Sequence, residues 1–210
     1  MPRIIIIAKA PRAGYAKTRL IPALGEQGSA QLASRLLEHA IEQALAAELG
    51  EVELRYAPDN WPAQAQCPQG QRLHCLPQGE GDLGARMARA SQQALAQGQS
   101  VILMGTDCPS LTASVLRQLS DRLKEHRACI VPAEDGGYVA LGLNDFHSSI
   151  FQDIHWSTEH VAEQTRNKMQ QLGWDWHELA TLADIDEACD LQHLPGSWKQ
   201  ELGIKEVDQP

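Results

Sequence analysis

Four cations, Lys9, Arg12, Lys17 and Arg19, surround Gly14 in the stretch Lys9-Ala10-Pro11-Arg12-Ala13-Gly14-Tyr15-Ala16-Lys17-Thr18-Arg19-Leu20. The stretch follows Ile4-Ile5-Ile6-Ile7, an apolar β-branched run that reads as a buried strand. A loop at the carboxyl end of a first strand lies where open α/β sheets hold ligands. Its cations are read as a clamp for a polyanion, a nucleotide diphosphate or triphosphate. The competing reading is a solvated basic turn. It is not a Walker A loop, because Ala16 stands where the glycine before the lysine belongs.

Asp107 follows the apolar run Val101-Ile102-Leu103-Met104 in the turn Gly105-Thr106-Asp107-Cys108-Pro109. Magnesium and manganese take hard oxygen ligands and share them with substrate phosphates, using one or two carboxylates. An aspartate here either holds such a metal or caps a turn, and the cationic loop on a neighbouring strand end favours the metal. In Glu134-Asp135-Gly136-Gly137-Tyr138 the paired glycines allow a close approach to a ligand. Glu134 or Asp135 then supplies a second metal ligand or a general base; the bland reading is a Gly-Gly turn between strands. The glycine-rich segment Gln78-Gly79-Glu80-Gly81-Asp82-Leu83-Gly84-Ala85-Arg86 leads into a helix and suits a base or ribose. Arg86 is a substrate contact or an ordinary exposed helix residue. His155 and His160 are read as surface or core histidines ahead of a metal role, and Trp156, Trp174 and Trp176 as either stacking on a sugar or filling the core, with core favoured.

These residues need a scaffold, and strand-like and helical patterns alternate along the chain. That alternation predicts an α/β fold, a three-layer α/β/α sandwich with a mixed, mainly parallel sheet. A long amphipathic helix is expected from about residue 26 to 48, and a half-buried strand at Val52, Leu54 and Tyr56. Residues 58–70 hold Pro58, Pro62 and Pro68 and read as an irregular excursion. A short strand at Leu73 and Cys75 precedes a helix marked by Leu83, Met87, Ala90 and Ala94. Thr112 is expected to cap the helix after Asp107, and Ser157 or Thr158 one that runs to about Leu172 with Glu159 at its positive end. Strands are expected at Cys129–Val131 and Val139–Leu143. Asp184-Ile185-Asp186 is expected to begin the last helix, since an active-site role would require it to fold back over the sheet edge. The charged final dozen residues are expected to fray.

The chain has 210 residues, 43% hydrophobic, which suits a single domain over residues 1–210 with its core at about 3–194. Eighteen basic residues against 27 acidic ones give a formal charge of −9, which disfavours broad binding to nucleic acid or an anionic membrane. The aliphatic runs are strand-sized, so no membrane insertion is expected. Five scattered cysteines without a Cys-x-x-Cys pair, and no signal-peptide pattern, point to a cytoplasmic protein with reduced thiols.

Taken in order, AKAPRAGYAKTRL, GDLGARM, GTDCP, PAEDGGY, DIHWST and DIDEACDL resemble a bacterial family of glycosyltransferase-like proteins. That family has the GT-A, nucleotide-diphospho-sugar transferase fold and is often described as arsenosugar-biosynthesis-type glycosyltransferases. The resemblance covers roughly residues 3–194, and the fold is shared with molybdenum-cofactor and 2-phospho-L-lactate guanylyltransferases. It implies nucleotide phosphates at Lys9, Gly14, Lys17 and Arg19, and the base beside Gly81, Asp82 and Gly84. It also implies Mg2+ or Mn2+ on Asp107, and an acceptor side at Asp135, Gly136 and Gly137, next to Tyr138. Two positions depart from the pattern: Pro109 stands where an Asp-x-Asp motif has its second acid, and Glu187 where the closing motif has threonine.

Three functions are expected in descending order. The first is a metal-dependent glycosyltransferase-like enzyme using a nucleotide-activated sugar. The second is a nucleotidyltransferase joining a nucleoside monophosphate to a small phosphorylated acceptor with release of pyrophosphate. The third is a non-catalytic nucleotide-binding protein. Base, sugar, acceptor and oligomeric state are not specified by the residues, and specificity is assigned to loops 58–70 and 144–156.

Overall fold

The computed structural model describes residues 1–63 and 73–204. Among the described residues seven strands form one sheet: β1 (Arg3–Lys9), β2 (Val52–Ala57), β3 (Leu73–Pro77), β4 (Val101–Met104), β5 (Ala128–Pro132), β6 (Tyr138–Leu143) and β7 (Trp176–Glu178). Their spatial order is β3-β2-β1-β4-β6-β5-β7. Only β6 runs antiparallel to its neighbours, β4 and β5. The mixed, mainly parallel sheet is the expected one.

Alternation along β1 explains the layers. Ile4 and Ile6 pack with Leu37, Ile41, Leu116 and Leu119 from helices Ile21–Ala46 and Ala113–Arg122. Ile5 faces the other way, toward Met87, Ala90 and Met169 of helices Leu83–Leu95 and Val161–Gln171. Strands covered on both faces lose the polar-out half of their alternation. That is why β2, expected to be half-buried, is buried at all six positions. Its charged residues Glu53 and Arg55 pair with each other, while Arg3 Nη1 lies 3.5 Å from Glu53 and Arg55 Nη2 donates to Gln93 at 2.6 Å.

One local expectation holds and two are corrected. Helix Ile21–Ala46 is interrupted at Gly25, whose φ of 71° leaves the helical region, so the regular stretch begins near the expected residue. Thr112 occupies the N-cap position without a side-chain bond, and Gln43 Oε1 instead accepts from Ala113 N at 2.9 Å. The next long helix starts at Val161 rather than after Ser157 or Thr158, because Ser157 has a φ of 63° and cannot open a right-handed helix. Its first turn carries Glu163 rather than Glu159.

The C-terminal region is more ordered than expected up to Ile204. A 3-10 helix at Ala188–His193 and helix Gly196–Glu201 bring Leu191, Leu194 and Trp198 onto Leu20, Leu32 and Leu36. Arg35 lies over the Trp198 ring at 4.3 Å from its centroid. At the start of the 3-10 helix Asp190 Oδ2 accepts from the Glu187 amide at 2.6 Å and from the Asp186 amide at 2.9 Å, so the turn is closed by Asp190 without a threonine hydroxyl at position 187. The irregular excursion expected at 58–70 lies outside the described residues from 64 onward, as do the last six residues.

Candidate active site

The carboxyl ends of β1 and β4, together with the turn before β6, open into one cleft of about 610 Å³. It is lined by Lys9, Lys17, Arg19, Gly81, Asp82, Arg86, Asp107, Asp135, Gly137 and Tyr138 among the expected site residues. Arg12, Gly14, Gly84, Glu134 and Gly136 lie outside the lining.

Lys17 is the hub. Its backbone is left-handed (φ 51°), an uncommon conformation for a side-chain-bearing residue, and its side chain is only 7% exposed. The ammonium lies 2.8 Å from Asp107 Oδ1 and 2.8 Å from Asp186 Oδ1, and donates to the Ile185 carbonyl at 2.5 Å. Burial works against its charge, but the two carboxylates outweigh it and hold its pKa above the usual lysine value. Asp186 is also buried against its charge, and Lys17 outweighs that to pull its pKa down. Arg19 adds a longer contact to Asp186 at 3.8 Å.

The acidic side is larger than the sequence indicated. Asp184-Ile185-Asp186 does not begin a helix but folds back over the sheet, where Ile185 N donates to the Asp107 carbonyl at 2.8 Å. Ile185 is fully buried among Leu20, Leu32 and Leu36, so its two acidic neighbours flank an apolar anchor. Asp135, Asp184 and Asp186 each offer an oxygen, all within 4.8 Å of one another. Burial, with Asp135 and Asp186 nearby, pushes Asp184 up to about 6. Repelling carboxylates with hard oxygen donors make a set that fits Mg2+ or Mn2+. The metal-holding carboxylate expected at Asp107 thus stands beside Asp135, Asp184 and Asp186, and Asp107 Oδ1 is engaged by Lys17 and by the Thr106 hydroxyl at 3.1 Å. The signal available in the sequence was the spacing of two acids around a single isoleucine, Asp184-Ile185-Asp186.

The glycine-rich segment is braced by Gln78, a residue missed by the sequence reading. Its amide donates to the carbonyls of Ala8 at 2.8 Å and Arg55 at 3.0 Å, and accepts from Arg86 Nη1 at 2.9 Å. Arg86 also donates to the Gly81 carbonyl, which holds the guanidinium at the cleft wall. Asp82 caps helix Leu83–Leu95 by accepting from Ala85 N at 2.8 Å.

Two glycines expected to face ligands instead face the protein. A Cβ on Gly84 would run into the Phe151 carbonyl and come within 2.7 Å of Trp156 Nε1. One on Gly136 would run into the Glu159 carbonyl, and its φ of 88° already requires glycine. Gly14 is needed for its φ of 71°, since an added Cβ would meet only ordinary contact with the Glu26 side chain at 3.8 Å, while Arg12 and Glu134 are exposed beyond the cleft. Trp174 is core, as expected; Trp156 instead lines the cleft, and Trp176 is half-buried with its Nε1 donating to Glu178 at 2.9 Å. His155 Nδ1 accepts from the Gln164 side-chain amide at 2.8 Å, and His160 lies 3.7 Å from Glu159, both at the surface. Burial pushes the Cys108 thiol up to about 11, so it is no nucleophile at neutral pH. Among the described residues Cys75, Cys108, Cys129 and Cys189 form no disulfide, and no helix is long and apolar enough to cross a membrane.

The family model described as "Uncharacterized protein conserved in bacteria (DUF2064)" matches residues 36–158. The chain belongs to that family. The matched DUF2064 segment holds Gln78, Arg86, Asp107 and Asp135, while Lys17, Asp184 and Asp186 flank it on either side. No curated protein sequence matches the chain. Among solved structures, a protein of Desulfovibrio desulfuricans G20, provisionally named a nucleotide-diphospho-sugar transferase, is similar at 27% identity and a TM-score of 0.84. The match covers 95% of this chain and 91% of that one. Rv0371c of Mycobacterium tuberculosis H37Rv, solved as a manganese complex, shares 17% identity over 92% of this chain and 98% of its own, with a TM-score of 0.50. The 4-diphosphocytidyl-2C-methyl-D-erythritol synthase of Anaerococcus prevotii DSM 20548 shares 11% over 95% and 99%, with a TM-score of 0.61. This DUF2064 member has the nucleotide-diphospho-sugar transferase fold.

Proposed function

We propose that this DUF2064 protein is a metal-dependent transferase that takes a glycosyl group from a nucleotide-activated sugar. One observation carries the reading: the cations Lys9, Lys17, Arg19 and Arg86 and the carboxylates Asp107, Asp135, Asp184 and Asp186 line one cleft at the carboxyl ends of the strands. The likeness to the Desulfovibrio protein, named for nucleotide-diphospho-sugar transfer, supports it.

Lys9, Arg19 and Arg86 would bind the diphosphate and the attached nucleoside. Asp184 and Asp186, part-buried on one strap, would hold Mg2+ or Mn2+, with Lys17 and Asp107 fixing Asp186 from the other side. A bound divalent cation supplies charge neutralisation for the departing diphosphate. In the transfer, the bond between the anomeric carbon and the phosphate oxygen breaks, and its electron pair leaves with the nucleoside diphosphate. An acceptor hydroxyl oxygen bonds to that carbon and gives its proton to Asp135, the exposed member of the acidic set. Glu134, the other candidate base, lies outside the cleft.

Isothermal titration with a panel of nucleoside diphosphate sugars and triphosphates, with and without Mn2+, tests the reading. Metal-dependent binding of a diphosphate sugar is expected, and no metal-dependent binding of any panel member overturns it.

A second reading, nucleotidyl transfer, draws on Pro109. It stands where an Asp-x-Asp motif would place its second acid, and its carbonyl is held by His39 Nε2 at 2.8 Å. The released product separates the two: nucleoside diphosphate for glycosyl transfer, pyrophosphate for nucleotidyl transfer.

A further inference from the structure

The cleft changes character along the strand order. Its cations belong to the β2-β1 side: Lys9 ends β1, Lys17 and Arg19 follow it, and Gln78 ties Arg86 to Ala8 of β1 and Arg55 of β2. Asp107 follows β4 at the centre, and Asp135 precedes β6. Beyond them, toward β6, the lining is Tyr138, Val139, Trp156, Ser157, Thr158 and Val161. Among the described lining residues no cation stands at that end.

The indole of Trp156 is fixed rather than loose. It packs over Gly84, where a Cβ would lie 2.7 Å from its Nε1 and 2.9 Å from its Cζ2. Ser157, at a left-handed φ of 63°, turns the chain directly after it. The Thr158 hydroxyl donates to the His155 carbonyl at 2.7 Å and so is already committed. The result is a half-buried aromatic surface with an adjacent hydroxyl, bordered by the Asp135 carboxylate.

Resting on the glycosyl-transfer reading above, we propose that this end takes the acceptor as an uncharged, hydroxyl-bearing compound, with Trp156 as its platform. A carbohydrate or similar polyol has apolar C–H faces that cover an aromatic ring and hydroxyls that meet a base. A phosphorylated or carboxylated acceptor would lose water beside the Asp135 carboxylate with no basic side chain among the described lining residues at that end to replace it, which is costly for an ion. Trp156 is thus a specificity-determining residue that selects the acceptor by charge.

The test uses the full-length protein with Mn2+ and the best-binding nucleoside diphosphate from the titration panel. Saturation-transfer NMR and competition measure binding of glucose, methyl glucoside and glycerol against glucose 6-phosphate and 3-phosphoglycerate. Neutral compounds are expected to bind at least about tenfold more tightly than their anionic counterparts. Trp156→Ala is expected to weaken the neutral compounds about tenfold or more while nucleotide affinity stays within about threefold. Trp156→Phe, which keeps an aromatic face, is expected to retain most of the binding, and nucleotide affinity reports that either variant is folded. Anionic acceptors binding as well as neutral ones, or Trp156→Ala leaving neutral binding unchanged, overturns the inference while the transferase reading stands. Absence of nucleotide binding overturns both.

Discussion

The backbone amide of Ile185 donates to the carbonyl of Asp107 across 2.8 Å, joining a strap near the C-terminus to the turn after the central strand. Through this bond Asp186 and Asp107 come to share the ammonium of Lys17.

Lys17→Met removes the shared cation at similar size. The Ile185 carbonyl and two part-exposed carboxylates then lose their partner. Urea unfolding is expected to show a loss of about 1–3 kcal/mol, reduced by the exposure of the acids. Metal-dependent nucleotide affinity is expected to fall about tenfold or more, read by titration calorimetry.

Asp184→Asn should stabilise the metal-free protein at neutral pH. The folded state raises this carboxyl from its ordinary 3.8 to about 6, so between those values the native protein binds the extra proton. Its contribution is fully present below pH about 4 and is lost as pH rises through about 6. Replacement by the neutral amide removes that loss, worth about 1–2 kcal/mol after allowance for solvent screening. Thermal melts from pH 4 to 8 without metal are expected to show the two proteins converging at the acid end, while the variant loses metal affinity.

The two neighbouring acids before β6 are expected to separate cleanly. Asp135→Asn should lower kcat about a hundredfold while nucleotide affinity changes little, as befits a base. Glu134→Gln, exposed outside the cleft, should stay within about twofold of the parent. A steady-state assay on both variants checks this, and equal losses would remove Asp135 from the role.

Gly136→Ala places a methyl group against the Glu159 carbonyl at a backbone φ of 88°. Backbone cannot yield as a flexible side chain can, so a loss of about 2–4 kcal/mol is expected in chemical denaturation. Gly98→Ala, also at positive φ but with no atom within 4 Å, is the control and should cost less.

Trp198→Ala empties part of the cluster that seats Ile185. A loss of about 3–5 kcal/mol is expected from the cavity. Because the acids flank that isoleucine, Mn2+ affinity should fall as well, although Trp198 lies outside the cleft lining. Calorimetric titration with Mn2+ below the melting temperature separates this effect from unfolding.

How far the sequence was legible follows from the range of each interaction. Strand and helix alternation is local, and it led to the mixed α/β/α sandwich because each element's burial pattern is written in its own residues. The loop after β1 and the turn after β4 were also readable, since both directly follow apolar strands. Asp184 and Asp186 were not: their position depends on Ile185 finding Leu20, Leu32 and Leu36, contacts spanning well over a hundred residues. Gln78 was missed for a related reason, because its partners Ala8 and Arg55 lie on two other strands. Gly84 and Gly136 were singled out as facing ligands, but both pack closely on Phe151 and Glu159, which sequence spacing alone does not distinguish from ligand approach.

The sheet is complete at Glu178, yet two of the four acids that face Lys17 and its neighbours follow at Asp184 and Asp186. A ribosome that stalls between these points releases a polypeptide with every strand and without Asp184 or Asp186. Translation must therefore run past the last strand before Lys17 can meet Asp186 and before Leu191, Leu194 and Trp198 can cover Leu20, Leu32 and Leu36.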